Sequence, residues 1–160
     1  MVVAVLIMLL VTAISAAPLE LTGNGSFADG LDGWTITNDA SCQATLVPAE
    51  GSPGGAKTAV ALQLAPDQPD AWSIVAHKPI SSPIVAGHRL RLTFWGRSAD
   101  RCRVTFYAEE SAQPYAKFVS GDARLEPEWK AYQAEAVAPQ AYDVDKAGIV
   151  FHLGHGKGSL

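Results

Sequence analysis

The sequence predicts an all-β fold, an antiparallel two-sheet β-sandwich of the jelly-roll kind. Beyond the first 18 residues, apolar side chains recur mainly at every second position, which is the period of a half-buried strand. Gly, Pro, Asp and Asn separate the runs, and no stretch between them is long enough to be a connecting helix. The predicted strands are residues 34–37, 42–47, 59–64, 72–77, 89–97, 102–109, 116–120, 129–137 and 148–153.

Composition describes one ordinary domain. The chain has 160 residues, a formal charge of -4 and 18% charged residues. Its 12 Lys and Arg side chains are scattered, so no basic stripe is present to neutralise successive phosphates. A nucleic-acid partner is therefore not expected.

The first 17 residues have the profile of a signal peptide. Residues 2–11 are wholly apolar, and small residues follow up to Ala16 and Ala17, either of which can precede the cleavage site. The apolar run is too short to span a membrane as a helix, and it lacks the polar face of a buried core helix. We predict a leader over 1–17, a single domain over 18–160, and a secreted or periplasmic protein with no membrane contact after the leader is removed.

Cys42 and Cys102 are the two cysteines, 60 positions apart. An exported protein passes through an oxidising compartment, where a disulfide closing such a loop would stabilise the fold by roughly 4 kcal/mol. Two buried thiols acting as small apolar core residues are the alternative. The sequence leaves both open.

Strand parity divides the side chains of the central segments into two faces. Leu90, Leu92 and Phe94 point one way and belong to the core, because side chains alternate across a strand. The same alternation in the next strand and in the last one predicts an outward face with aromatic and ionic groups. That face is expected to carry Trp95, Tyr107, Arg91, Arg97, Glu109 and His152.

Flat aromatic rings among rigid polar groups suit a sugar. The apolar C–H faces of a pyranose ring lie on aromatic rings, while its hydroxyls pair with charged groups. The alternative is a solvated charged face with Trp95 covered by a loop. Trp72 is predicted either as a core residue beside Ile74 or as an aromatic at a groove edge. Tyr115 is predicted either as loop packing or as a loop aromatic that reaches over a ligand.

Four blocks resemble carbohydrate-binding modules of the family-four and family-nine type, which have a galactose-binding-like jelly roll. In order, they are residues 24–34 (NGSFADGLDGW), 87–98 (GHRLRLTFWGRS), 125–132 (LEPEWKAY) and 149–154 (IVFHLG). The resemblance implies binding of a polysaccharide of the β-glucan or xylan type in a groove on one sheet. It also implies an N-terminal accessory module of a glycoside hydrolase, with a catalytic domain further along the full-length protein.

Two positions depart from the family pattern. Ala28 stands where the family commonly has an acidic residue that helps to hold a structural calcium, so no cofactor is expected. The family also closes with a strand after the glycine-rich turn, and residues 158–160 stand where it would begin. The resemblance therefore implies a domain without its last strand.

The sequence contains no convincing catalytic or metal site. Glycoside hydrolysis needs two carboxylates on either side of the bond, and Glu109 and Glu110 are adjacent on a strand and face opposite ways. We therefore predict a non-catalytic chain. A structural or adhesive sandwich that contacts protein or cell wall is the second hypothesis.

Overall fold

The computed structural model describes the backbone of residues 3–5 and 12–13, and residues 19–37, 39–53, 55–66 and 68–154. In this part of the chain the helical element is a short 3₁₀ turn, Ala71–Ser73, and no helix is long and apolar enough to cross a membrane. The strands are β1 Val3–Val5, β2 Thr12–Ala13, β3 Leu19–Glu20, β4 Thr35–Ile36, β5 Cys42–Pro48, β6 Thr58–Leu64, β7 Val75–Pro79, β8 Arg89–Gly96, β9 Arg103–Glu110, β10 Lys117–Arg124, β11 Lys130–Val137 and β12 Ala147–His152.

The strands form two antiparallel layers. The first layer is a five-stranded sheet in the order β10-β9-β12-β7-β4. The second consists of two hydrogen-bonded groups, β1-β6-β5 and β11-β8, while β2 pairs with β3. The predicted all-β, two-sheet sandwich is confirmed.

Aromatic rings join the two layers. Phe94 of β8 is fully buried, and its ring centroid lies 5.0 Å from that of Phe106 in β9 and 5.1 Å from that of Phe151 in β12. Both contacts are edge-to-face, a favourable arrangement for aromatic pairs. Because β8 turns these core side chains towards β9 and β12, its other face points away from the first layer.

Each predicted strand has a counterpart, and two differ in extent for clear reasons. The run that begins at Trp72 is not strand at its start: residues 71–73 form the 3₁₀ turn, and β7 begins at Val75. Strand β10 continues past residue 120 to Arg124, with Gly121 inside the strand rather than in a turn. A Cβ at Gly121 would overlap the Phe106 ring, so this glycine makes room for the core.

The two cysteines are free thiols, both buried in the core. Cys42 opens β5 in the second layer, and Cys102 directly precedes β9 in the first. Burial raises the pKa of each thiol to about 11, so neither is reactive at neutral pH. Of the two possibilities, the structure shows two buried thiols that act as apolar core residues, and it contains no Cys42–Cys102 disulfide.

At the N-terminus, the backbone of β1 pairs with β6 and that of β2 pairs with β3. The remaining residues of segment 1–18 lie outside the described residues, as do residues 155–160, where the missing closing strand was expected. The signal peptide and the domain limits of 18–160 therefore stay predictions.

Lys78 is a buried cation that supports the loop before β4. Its side chain extends from β7, is only 7% exposed, and donates a 2.9 Å hydrogen bond from Nζ to the Asp32 carbonyl oxygen. The ammonium also lies over the Trp34 ring, 6.0 Å from its centroid.

Replacing Lys78 by Ala is expected to lower the free energy of unfolding by about 2 kcal/mol, because the Asp32 carbonyl loses its donor and the buried stem leaves a gap. Urea unfolding measures this. The exposed Lys146→Ala serves as the control and should change stability by less than about 0.5 kcal/mol. Equal small changes in both variants would show that the buried bond does not support the loop.

Candidate functional site

A groove of about 460 Å³ lies on the outward face of the first layer. Strands β9, β12 and β7 form its floor, and the connections before β7 and after β9 form its sides. Its lining residues are Trp72, Val75, His77, Glu109, Glu110, Ser111, Tyr115, Lys117, Val150 and His152.

Two exposed aromatic side chains line the groove. Trp72 is 62% exposed and Tyr115 is 47% exposed, although both are large apolar groups. The Trp72 turn is fixed by Gly154, whose N–H donates a 2.8 Å bond to the Ala71 carbonyl, and a Cβ on Gly154 would overlap the Asp70 carbonyl. Rings held in solvent by an ordered backbone indicate a contact surface rather than a core.

Tyr107 borders the groove through contacts with two of its lining residues. Its ring meets the His152 ring edge-to-face, with centroids 5.1 Å apart. Lys117 Nζ lies over the same ring, 4.9 Å from its centroid. Tyr107 is therefore held between β10 and β12 as part of one rigid surface.

Glu109 is a carboxylate in an unusual environment. Its side chain is 12% exposed, and Lys117 Nζ forms an ion pair with Oε2 at 3.2 Å. Within the described chain, this buried Oε2 accepts no well-oriented hydrogen bond. Glu109 thus places a carboxylate held by an ion pair in the lining of the groove, and carboxylates accept hydrogen bonds from hydroxyl groups.

His77 lies next to Glu109 on the groove floor. Its imidazole occupies the space above Gly148, where a Cβ would overlap the ring. Burial lowers the pKa of His77 below its ordinary 6.5, and the nearby Glu109 charge opposes this shift. Neutral imidazole is thus the favoured form in the folded protein.

This lowered pKa predicts a pH dependence of stability. The folded state favours unprotonated His77, so its contribution is fully present above pH 6.5 and is lost as the pH falls through its lower folded pKa. We expect the urea midpoint to fall on acidification from pH 7 to 5, and the fall to be smaller in His77→Gln. The exposed His88→Gln is the matched control and should keep the wild-type profile. Identical profiles for all three proteins would contradict the assignment.

The structure brings together four of the seven predicted site residues. Tyr107, Glu109, His152 and Trp72 all lie in or beside the groove. The question left open for Trp72 is answered in favour of the groove edge, because residues 71–73 form a turn that exposes the ring.

The other three predicted residues lie on the opposite side of the molecule. Trp95, Arg91 and Arg97 face outward from β8 and its end, in the second layer. Strand parity was right within each strand, but β8 and β9 do not belong to the same sheet. Arg91 Nε forms a 2.6 Å ion pair with Glu135, and the Arg97 guanidinium lies 4.7 Å from the centroid of the Trp129 ring. Trp95 is half-buried and packs against the core edge. A binding role for these three stays a prediction.

The sequence pattern did not single out His77 or Lys117, and it left open whether Tyr115 packs in its loop or reaches over a ligand. The register that places His77 opposite Val150, and Val150 opposite Tyr107, joins residues far apart in the chain. The alternation of residues 75–79 was the available signal, since it places His77 on the other face of the strand from the buried Ala76 and Lys78. It did not say which strands lie on either side.

The residues of the 24–34 loop do not fit a calcium site. The loop has Ala28 at the expected ligand position, and the buried ammonium of Lys78 already contacts the Asp32 carbonyl. A second cation beside that ammonium would be repelled. Among the described residues, no group of three or more His, Cys, Asp or Glu side chains is placed to hold a metal ion.

Solved structures with this fold include carbohydrate-binding modules. A family-four carbohydrate-binding module matches with a TM-score of 0.52 and 18% identity, over 80% of this chain and 86% of that chain. The N-terminal cellulose-binding domain of Cellulomonas fimi β-1,4-glucanase C matches at 0.50 and 17%, over 84% and 85%. A protein from Bacteroides thetaiotaomicron described as sugar-binding matches at 0.50 and 12%, over 74% and 83%.

No protein-family model and no curated protein matches the sequence. At these identities the structural likeness concerns the fold. It confirms the fold that the four sequence blocks implied: the chain has the β-sandwich of carbohydrate-binding modules.

Proposed function

We propose that this domain binds a polysaccharide chain, without catalysis, in the groove lined by Trp72, Tyr115 and Glu109. The observation that carries the proposal is the pair of solvent-exposed aromatic side chains that line a groove together with the ion-paired carboxylate of Glu109. Aromatic faces take the C–H surfaces of sugar rings, and rigid polar groups take the hydroxyls. The shared fold with sugar-binding modules supports the proposal.

The charges of the groove favour a neutral glycan. Glu109 and Glu110 are both lining residues, and the Lys117 ammonium is already paired with Glu109. With two carboxylates and one lysine ammonium in its lining, the groove offers no excess of positive charge to attract the carboxylates of a polyuronate. We therefore propose a chain of the β-glucan or xylan type as the ligand.

The groove carboxylates are engaged in ways that support binding rather than hydrolysis. Glu109 is held by Lys117, and Glu110 Oε1 accepts a 2.9 Å bond from Gln140 Nε2 on the other side of the loop. Glycoside cleavage needs one carboxyl group as acid and the other as base or nucleophile across the same bond. We propose that the domain is an accessory module of a glycoside hydrolase in an exported protein, and that it keeps the catalytic domain close to the polymer.

Affinity electrophoresis tests this function directly. We expect retarded migration in gels that contain mixed-linkage β-glucan or xylan, and unchanged migration with polygalacturonate at the same viscosity. Unchanged mobility on every neutral polymer would refute the proposal. Turnover of an aryl glycoside by the purified chain would contradict its non-catalytic part, and retention by cell walls stripped of glucan and xylan would favour the adhesive alternative.

A further inference from the structure

The second layer contains a strand position between β6 and β8. Strand β6 pairs with β5 along one edge, and β8 pairs with β11 along one edge. On their other edges the two strands do not pair with each other; β1 pairs with β6 there and also contacts β8, and β2 lies beside β8 as well. In the described part of the chain, β1 therefore occupies the edge of β6 that faces the other half of the layer.

The residues of β6 are those of an interior strand. Ala59, Val60, Ala61 and Leu62 are all buried, so both faces of the strand are covered, and residues 58–64 contain no charge. Outer strand β10 instead carries Lys117, Asp122 and Arg124, and β5 exposes several of its side chains. Charge and exposure protect true edges against pairing with other chains, and β6 has neither protection.

The occupant of the gap belongs to the segment predicted to be a leader. Val3, Ala4 and Val5 pair antiparallel with Leu62, Ala61 and Val60. Cleavage after residue 16 or 17 would remove this strand and leave the backbone groups of β6 without partners in an apolar setting.

We propose that the gap between β6 and β8 is a strand-binding site. Val3–Val5 fills it while the leader is attached, and after leader removal it binds an extended, uncharged aliphatic segment of a partner polypeptide, paired antiparallel with β6. The chemistry of the occupant follows from the Val-Ala-Val segment seated there and from the uncharged sequence of β6. A second copy of the domain fits less well, because β8 of the same chain bounds the gap on the side away from β6.

The first test uses the full chain. Ala4→Cys with Ala61→Cys places two thiols at directly opposed positions and should give a disulfide under mild oxidation, whereas Ala4→Cys with Ala59→Cys, two residues out of register, should not. The native thiols are buried, and their raised pKa keeps them from competing. Absence of a bridge between positions 4 and 61 overturns the proposed occupancy.

The second test exchanges the strand. A protease recognition sequence inserted between Ala17 and Pro18 allows cleavage of the folded protein, after which a fluorescent peptide of residues 2–7 with a solubilising lysine tail is added. We expect one peptide bound per domain and a raised melting temperature, and no binding of the same peptide with Asp in place of Ala4. A cleaved protein that sheds residues 1–17 with an unchanged melting temperature and ignores the peptide overturns the proposal, and so does a dimer seen by light scattering. Neither test involves the sugar groove, so each proposal can fail without the other.

Discussion

Replacing Trp72 by Ala is expected to weaken polysaccharide binding about tenfold, which corresponds to about 1.4 kcal/mol. The indole is 62% exposed and lines the groove, so it offers a ready face for a sugar ring. Because a turn outside the core carries the side chain, truncation should remove the stacking surface without disturbing the fold. Isothermal titration with a soluble oligosaccharide of the retained polymer measures the loss.

Trp95→Ala is the matched control for this change. It removes the same side chain from the opposite layer, where Trp95 faces outward from β8 away from the groove. We expect its affinity for the oligosaccharide to equal that of the wild type. If Trp95→Ala abolished binding while Trp72→Ala had no effect, the site would lie on the second layer, with Arg91 and Arg97 as its neighbours.

Replacing Phe94 by Ala is expected to lower the free energy of unfolding by about 4 kcal/mol. The ring is completely buried and contacts Phe106, Phe151 and Tyr132, with centroids 5.0 to 5.2 Å away. Its loss removes the transfer free energy of a whole aromatic group and leaves a cavity that these rigid neighbours cannot close. Urea unfolding at pH 7 provides the measurement.

Two milder changes make this result specific. Phe94→Leu keeps most of the volume and should cost about 1 kcal/mol. Phe118→Ala removes a half-buried ring that stacks on Tyr142 at 4.6 Å, outside the junction of the layers, and should cost clearly less than Phe94→Ala. Equal losses at positions 94 and 118 would show that the Phe94 cluster does not hold the two layers together.

Much of the fold was predictable because it depends on local alternation. The run from Leu90 to Phe94 places every second side chain in the core, and β8 shows this pattern without exception. The failures have local causes too. Gly121 resembles a strand end in the sequence but lies inside β10 because Phe106 needs its space, and Trp72 resembles a strand residue but lies in a turn packed on Gly154.

The candidate site was predictable only in part, because a binding surface depends on which strands are neighbours. Strand parity correctly predicted that Tyr107, Glu109 and His152 point outward. It predicted the same for Trp95, but it did not show that Trp95 belongs to the other layer. His77 and Lys117 reach the groove only through cross-strand pairing and a hairpin.

The sequence by itself determined that this chain forms a sandwich of short strands, and which face of each strand is apolar. Both properties follow from apolar side chains at every second position, in short runs that turn residues separate. The tertiary structure alone decided that β8 and β9 belong to different layers, and so that Tyr107 and Trp95 lie on opposite sides of the molecule. The physical reason is that sheet membership arises from hydrogen bonds and ring packing between distant segments, such as Phe94 against Phe106 and Phe151, which no local pattern encodes.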